Sequence, residues 1–219
     1  MFKKALLTIL FISLFSISKA EVVKELIVTG NKRVSNETIK VYGEIDFGKN
    51  YTENDINNVI NNLYSTDFFE DIQIELKNNI LKINLKEYPI INQLIIIGEQ
   101  KKTYREQIKK LIQLKANKPF IRPYLAKDVS VIKTLYSSLG FNFVEVETKV
   151  KTIDKDNLDL LIEINRGEQT KISSISFIGN KNIRSKRLKD IIVSEEDIFW
   201  KVISKNTNLS ENLINLDKR

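Results

Sequence analysis

Apolar residues at Ile56, Val59, Ile60, Leu63 and Tyr64 fall at i, i+3, i+4, i+7 and i+8, the spacing that lines side chains up along one face of a helix. Directly ahead stands Thr52-Glu53-Asn54-Asp55, a capping-box layout with Asp in place of Glu or Gln, which marks where that helix begins. The period then changes. Asp71 to Leu76 and Ile80 to Leu85 alternate apolar and polar residues on either side of Lys77-Asn78-Asn79, and period-two alternation across a short polar turn predicts a β-hairpin. Upstream, Leu26-Ile27-Val28-Thr29-Gly30 reads as a strand ended by glycine, and Ser35 caps a helix running to about Tyr42. The order of elements is β-α-α-β-β.

That order recurs. Leu94-Ile95-Ile96-Ile97-Gly98 and Ile175-Ser176-Phe177-Ile178-Gly179 repeat the strand-glycine string, and Ile39, Ile108 and Leu188 each follow nine or ten positions after it. Regular self-similarity of this kind is the mark of an array of like modules. In the second copy, Thr103-Tyr104-Arg105-Glu106 reads as a capping box opening a helix to Leu111, followed by a helix from Tyr124 to Leu139 and strands Phe143 to Val150 and Leu158 to Asn165. Tyr64-Ser65 and Tyr136-Ser137 occupy equivalent places, with Phe69 and Phe141 five residues after each tyrosine. The third copy supplies a strand from Ile172 to Ile178 and a helix from Ser185 to Val193, with no hairpin after them. The predicted class is α+β: tandem modules, each a three-stranded sheet with two helices on one face.

The boundaries follow from the pattern. Residues 1–20 carry Lys3 and Lys4, an apolar run from Ala5 to Ile17, and Ser18-Lys19-Ala20, the layout of a secretory signal peptide cleaved after Ala20. The apolar run is short for a spanning helix. Module 1 is read as 21–88, module 2 as 89–167, and 168–219 as an incomplete third module, so the sequence is expected to be a fragment of a longer protein. The joints at Tyr88-Pro89-Ile90 and Arg166-Gly167-Glu168 are short rather than Gly/Ser-rich, which predicts a semi-rigid arm.

Composition narrows the chemistry. Cysteine and histidine are both absent, which removes disulfides, Ser-His and Cys-His nucleophile pairs and most transition-metal sites. Asp154-Lys155-Asp156-Asn157 departs from a calcium loop at its next ligand position and reads as a hairpin turn. The formal charge is +7, from 35 basic and 28 acidic residues; without Lys3, Lys4 and Lys19 it falls to +4. The densest basic run, Arg184 to Lys189, has no aromatic platform beside it, so no nucleic-acid partner is expected. No enzyme activity, cofactor or metal is predicted. Surface remains: the first hairpin strand of each module can lie at a sheet edge with unpaired main-chain groups. Such an edge is either a docking rail for an extended segment or a guarded edge on which Glu75, Glu145 and Glu147 prevent aggregation; the residues leave both open.

The export signal, the tandem units, the Gly30-Asn31 and Gly179-Asn180 turns, Leu63-Tyr64-Ser65-Thr66-Asp67-Phe68-Phe69, the Glu87-Tyr88-Pro89 exit and Phe199-Trp200 together resemble the POTRA modules of the BamA family of outer-membrane protein assembly factors, from Glu21 onward. One departure is Asp67, where that family often has glycine. The resemblance implies an arm on the periplasmic face of the outer membrane. That arm receives unfolded outer-membrane β-barrel proteins by strand addition and docks accessory outer-membrane lipoproteins. It meets the membrane only through a C-terminal barrel that this sequence lacks. It further implies guest-binding edges at Asp71, Ile72, Gln73, Ile74, Glu75 and Leu76, and at Glu145, Val146, Glu147, Thr148, Lys149 and Val150. Arrays in autotransporter-assembly factors and two-partner secretion transporters share these modules, and a cell-division scaffold carries a single one behind an uncleaved helix.

Overall fold

The stripe from Ile56 to Tyr64 finds its sheet within residues 21–88. The computed structural model describes residues 21–198 and 206–218; the segment read as a signal peptide and Phe199-Trp200 lie outside the described residues. The first unit runs β1 (Glu21–Val22), β2 (Glu25–Thr29), α1 (Asn36–Tyr42), β3 (Asn50–Tyr51), α2 (Glu53–Tyr64), β4 (Phe69–Lys77) and β5 (Ile80–Glu87). The Thr52 box closes in both directions, with the Asp55 amide donating to the Thr52 hydroxyl and the Thr52 amide donating to the Asp55 carboxylate. Thr52 thereby holds the Asp55 carboxyl below the usual carboxylate range.

The sheet order is β2-β5-β4, with β5 parallel to β2 and antiparallel to β4. Period-two alternation on β5 buries Leu81, Ile83 and Leu85 beneath the helices and leaves Lys82, Asn84 and Lys86 exposed. Ile39 of α1 and Val59 and Leu63 of α2 complete this core with Phe69, Ile72, Ile45 and Tyr51. Each such side chain contributes about 1.5–3 kcal/mol on burial. Tyr64, the last member of the stripe, is 40% exposed, so the buried face is narrower than the periodicity predicts. Asp67 sits at φ 60°, the left-handed region that glycine enters without strain, which gives the departure at that position a physical cost.

The second unit begins at Pro89. It comprises β6 (Ile90–Ile97), α3 (Lys102–Leu111), α4 (Arg122–Ser138), β7 (Glu145–Thr152) and β8 (Asn157–Asn165), then α5 (Ser185–Lys189) and α6 (Glu211–Asp217). Its sheet repeats the plan as β6-β8-β7, with β8 parallel to β6 and antiparallel to β7. The repeated glycine has one cause in both units: a Cβ at Gly30 would lie 2.0 Å from the Leu85 carbonyl oxygen and one at Gly98 2.0 Å from that of Ile164. In each case the chain leaving the first strand passes hard against the end of the central strand. Gly179 adopts the same φ, 85°, with no atom within 4 Å of such a Cβ.

Three expectations are corrected. The Thr103-Glu106 capping box does not form: the cap lies two residues earlier, at Lys101, with no side-chain bond, because the Lys101 amide donates instead to the Glu99 carboxylate at 2.7 Å. Among the described residues the segment from Ile172 to Ile178 forms no ladder, and Lys171 just before it makes a single bridge to Asn208, since an extended run needs a neighbouring strand to become a sheet. The helix expected from Ser185 to Val193 stops at Lys189. Residues after 168 hold to the end of α4 instead, through the Thr170 amide on the Gly140 carbonyl at 2.8 Å and the Asn142 side-chain amide on the Leu209 carbonyl at 2.8 Å.

Candidate functional site

All twelve residues singled out as docking edges lie on the two outermost hairpin strands, 71–76 within β4 and 145–150 within β7. β2 and β6 stand at the opposite edges. Which backbone groups each edge offers follows from register. Asn78 and Asn79 form a two-residue turn with φ of 53° and 64°, which makes Lys77 and Ile80 a hydrogen-bonded pair. Counting back, Glu75 with Lys82 and Gln73 with Asn84 are also bonded pairs, so the N–H and C=O groups of Ile72, Ile74 and Leu76 point away from the sheet. On β7, the Ile153 amide bonds to the Asn157 carbonyl at 3.0 Å. The same counting turns Glu145, Glu147 and Lys149 inward and Val146, Thr148 and Val150 outward.

The side chains alternate with the amides. On β4, Ile72, Ile74 and Leu76 face the core, while Asp71, Gln73 and Glu75 lie on the open face. Glu70 pairs with Lys86 at 2.7 Å and Gln73 donates to Asp71 at 3.0 Å. On β7, Lys149 sits 3.0 Å from Glu163 and 4.0 Å from Glu147, and the Glu163 carboxylate raises its ammonium pKa. These charges cross the sheet face and leave the line of outward amides clear.

The two equivalent tyrosines have different fates. Tyr136 is fully buried and its hydroxyl donates to Glu99; burial and that acceptor push its pKa well above the usual phenol range. Burial works to raise the Glu99 carboxyl, but the Tyr136 hydroxyl and the Lys101 amide outweigh it and hold the group below its ordinary value. Tyr64 has no such acid, and its hydroxyl oxygen accepts the Ile72 amide at 3.2 Å. The pattern of the sequence did not distinguish these cases, although Glu99 stands where the first copy has Asn31.

Three further acids hold turns and loops in place, of which only Asp128 was not picked out from the sequence. Glu87, 5% exposed at its side chain, accepts the amides of Lys32, Arg33 and Val34 and the Arg33 guanidinium. Arg33 also donates to the Tyr88 carbonyl, so the network ties the turn after Gly30 to the end of β5. Asp128, buried in α4, accepts the amides of Gln113 and Leu114 at 2.8 and 2.9 Å and fixes the chain after α3. Asp154 accepts the Asp156 amide within its own hairpin turn. Among the described residues no group of three His, Cys, Asp or Glu side chains is placed to hold a metal, and no helix is long and apolar enough to cross a membrane.

The profile of the POTRA family, described as "Surface antigen variable number repeat", matches residues 89–167. Those residues are a POTRA domain. Relatives extend the likeness. The chain is 25% identical over 210 residues to the outer membrane protein assembly factor BamA of Neorickettsia risticii, covering 96% of this chain and 28% of that protein. It is 26% identical over 192 residues to BamA of Neisseria meningitidis serogroup B, covering 86% and 24%. The chain thus spans about a quarter of the length of the curated relatives it matches. Among solved structures, the N-terminal domain of Omp85 from Thermosynechococcus elongatus aligns with a TM-score of 0.48 at 14% identity, covering 92% of this chain and 84% of that one. POTRA3-5 of BamA from Haemophilus influenzae gives 0.42 at 17%, covering 92% and 85%. Residues 89–167 thus carry the α+β architecture of a POTRA domain, and most of the chain is similar to BamA proteins.

Proposed function

We propose that this POTRA chain is the periplasmic arm of an outer-membrane protein assembly factor. It consists of an export signal at 1–20, modules at 21–88 and 89–167, and the start of a third at 168–219. It acts as a scaffold: unfolded outer-membrane β-barrel proteins add as strands along β4 and β7, pass toward a membrane barrel, and accessory outer-membrane lipoproteins dock on the same arm. The observation that carries this reading is the pair of edge strands whose outward amides, at Ile74 and Leu76 and at Val146, Thr148 and Val150, bond to nothing among the described residues. Main-chain pairing supplies affinity for an extended guest while reading little of its sequence, which suits a receiver of many substrates.

The test is site-specific photo-crosslinking to a urea-unfolded β-barrel protein diluted into buffer with the chain. Probes at Gln73, Glu75 and Glu147 are expected to capture the guest, whereas probes at the exposed helix positions Asn58 and Asn61 are not. Capture confined to the helix positions would overturn strand addition.

A further inference from the structure

We propose that Tyr64 is a register stop: its hydroxyl closes one end of the β4 edge and confines an incoming strand to Ile74 and Leu76. The inference rests on the strand-addition reading and adds to it a rule for where the guest can sit. A strand joining β4 must lie about 4.8 Å away and place a carbonyl oxygen about 2.9 Å from each outward amide nitrogen. At Ile72 that position is taken, because the Tyr64 hydroxyl oxygen is 3.2 Å from the nitrogen and receives its hydrogen. The guest carbonyl and the Tyr64 hydroxyl exclude each other. Beyond Ile72 the pairing of β4 with β5 is itself irregular, shifting register between Phe69 and Asp71, so the straight part of the edge ends where the tyrosine sits.

The second module lacks the device. Its equivalent tyrosine, Tyr136, is buried and committed to Glu99, and the outward amides of Val146, Thr148 and Val150 meet no side-chain cap among the described residues. One module therefore offers a short, fixed footprint and the other a longer one. A chain moving along β4 has a defined end point, and one on β7 can slide by two-residue steps.

The test uses the full chain, isotopically labelled, titrated with a synthetic nine-residue peptide of alternating apolar and polar residues taken from a β-barrel strand, with amide exchange read residue by residue. In the native chain the peptide is expected to protect Ile74 and Leu76 and leave Ile72 unchanged. Tyr64→Phe deletes only the hydroxyl of a half-exposed ring; it should extend protection to Ile72 and tighten binding about two- to tenfold, the worth of one added hydrogen bond. Tyr64→Leu should shift the footprint the same way. Protection of Ile72 by peptide in the native chain, or an unchanged footprint in both variants, would overturn the register stop while leaving strand addition standing. Silence of every β4 amide in all three proteins would overturn strand addition at this edge and the stop with it.

Discussion

Glu87 offers the most direct way to ask what holds the first module in shape. Its carboxylate, almost wholly shielded, receives the amides of Lys32, Arg33 and Val34 at 2.8, 3.0 and 3.1 Å on one oxygen and the Arg33 guanidinium at 2.7 Å on the other. Replacement by alanine strands three amides and a cation at once. A single orphaned group costs about 1–3 kcal/mol, but the turn is half-exposed and water reaches part of it, so Glu87→Ala is expected to destabilise the module by about 2–4 kcal/mol. Glu87→Gln keeps one oxygen for the amides and loses only the ion pair, so about 1–2 kcal/mol is expected. The pH dependence carries a second signature. Burial raises the Glu87 pKa, yet the amides and Arg33 outweigh it and the folded-state value lies below the ordinary one. A depressed carboxyl contributes stability above its unfolded pKa and loses it as pH falls through the folded value. The native chain should therefore lose first-module stability in acid, and Glu87→Gln should flatten part of that decline. Urea unfolding followed through exchange of the Ile39 and Leu63 amides, at neutral pH and in acid, measures both. Equal midpoints for all three proteins at neutral pH, or parallel acid limbs for the native chain and the Glu87→Gln variant, would refute the role assigned to this network.

Leu63 is fully buried, so Leu63→Ala should cost about 2–5 kcal/mol, seen as a drop in the first module's urea midpoint; an unchanged midpoint would place Leu63 outside the core. Proline at Gln73 removes an inward amide from the ladder with Asn84, whereas proline at Ile74 removes an outward one. Gln73→Pro should therefore unfold the sheet edge, and Ile74→Pro should keep the fold by circular dichroism while abolishing peptide protection on β4. Tyr136→Phe leaves the Glu99 carboxylate short of a buried donor and should destabilise the second module by about 1–3 kcal/mol, with no shift in the urea midpoint of the first. Gly98→Ala should cost more than Gly48→Ala, because only the former drives a Cβ into the central strand; both positions have positive φ, so the difference in melting temperature isolates the clash.

What could be read from the sequence was whatever depends on neighbours in the chain. The Thr52-Asp55 box and the α2 stripe involve residues within a few positions of each other, and the Asn78-Asn79 turn fixes its hairpin locally; all three appear in the structure. The second copy's box failed because the helix start is decided by Glu99, which Tyr136 positions from 37 residues away. Asp128 reaches back 14 and 15 residues to its amides, a distance at which no local spacing signals a partner. The run from Ile172 to Ile178 was read as a strand from its likeness to the first two copies, but a strand exists only with a second strand beside it. For the edges, the family resemblance implied the twelve residues, and they lie on outer strands. Which of them turn their amides outward required the register, and that Tyr64 blocks one of those amides required coordinates.

The central strand of each three-stranded sheet is the last one in the chain. β2 pairs with β5 from Glu25 with Ile80 to Thr29 with Asn84, and β6 pairs with β8 from Ile90 with Asn157 to Ile97 with Glu163. In a polypeptide that emerges amino end first, the first strand and both helices of a module are exposed before anything exists for them to pair with. Closing contacts that distant in sequence is slow, and the waiting intermediate presents apolar surface. Arrival of Ile80–Glu87 gives both waiting strands, β2 and β4, their partner in one event. Each three-stranded sheet thus closes from its tail, with the strand that comes last in sequence.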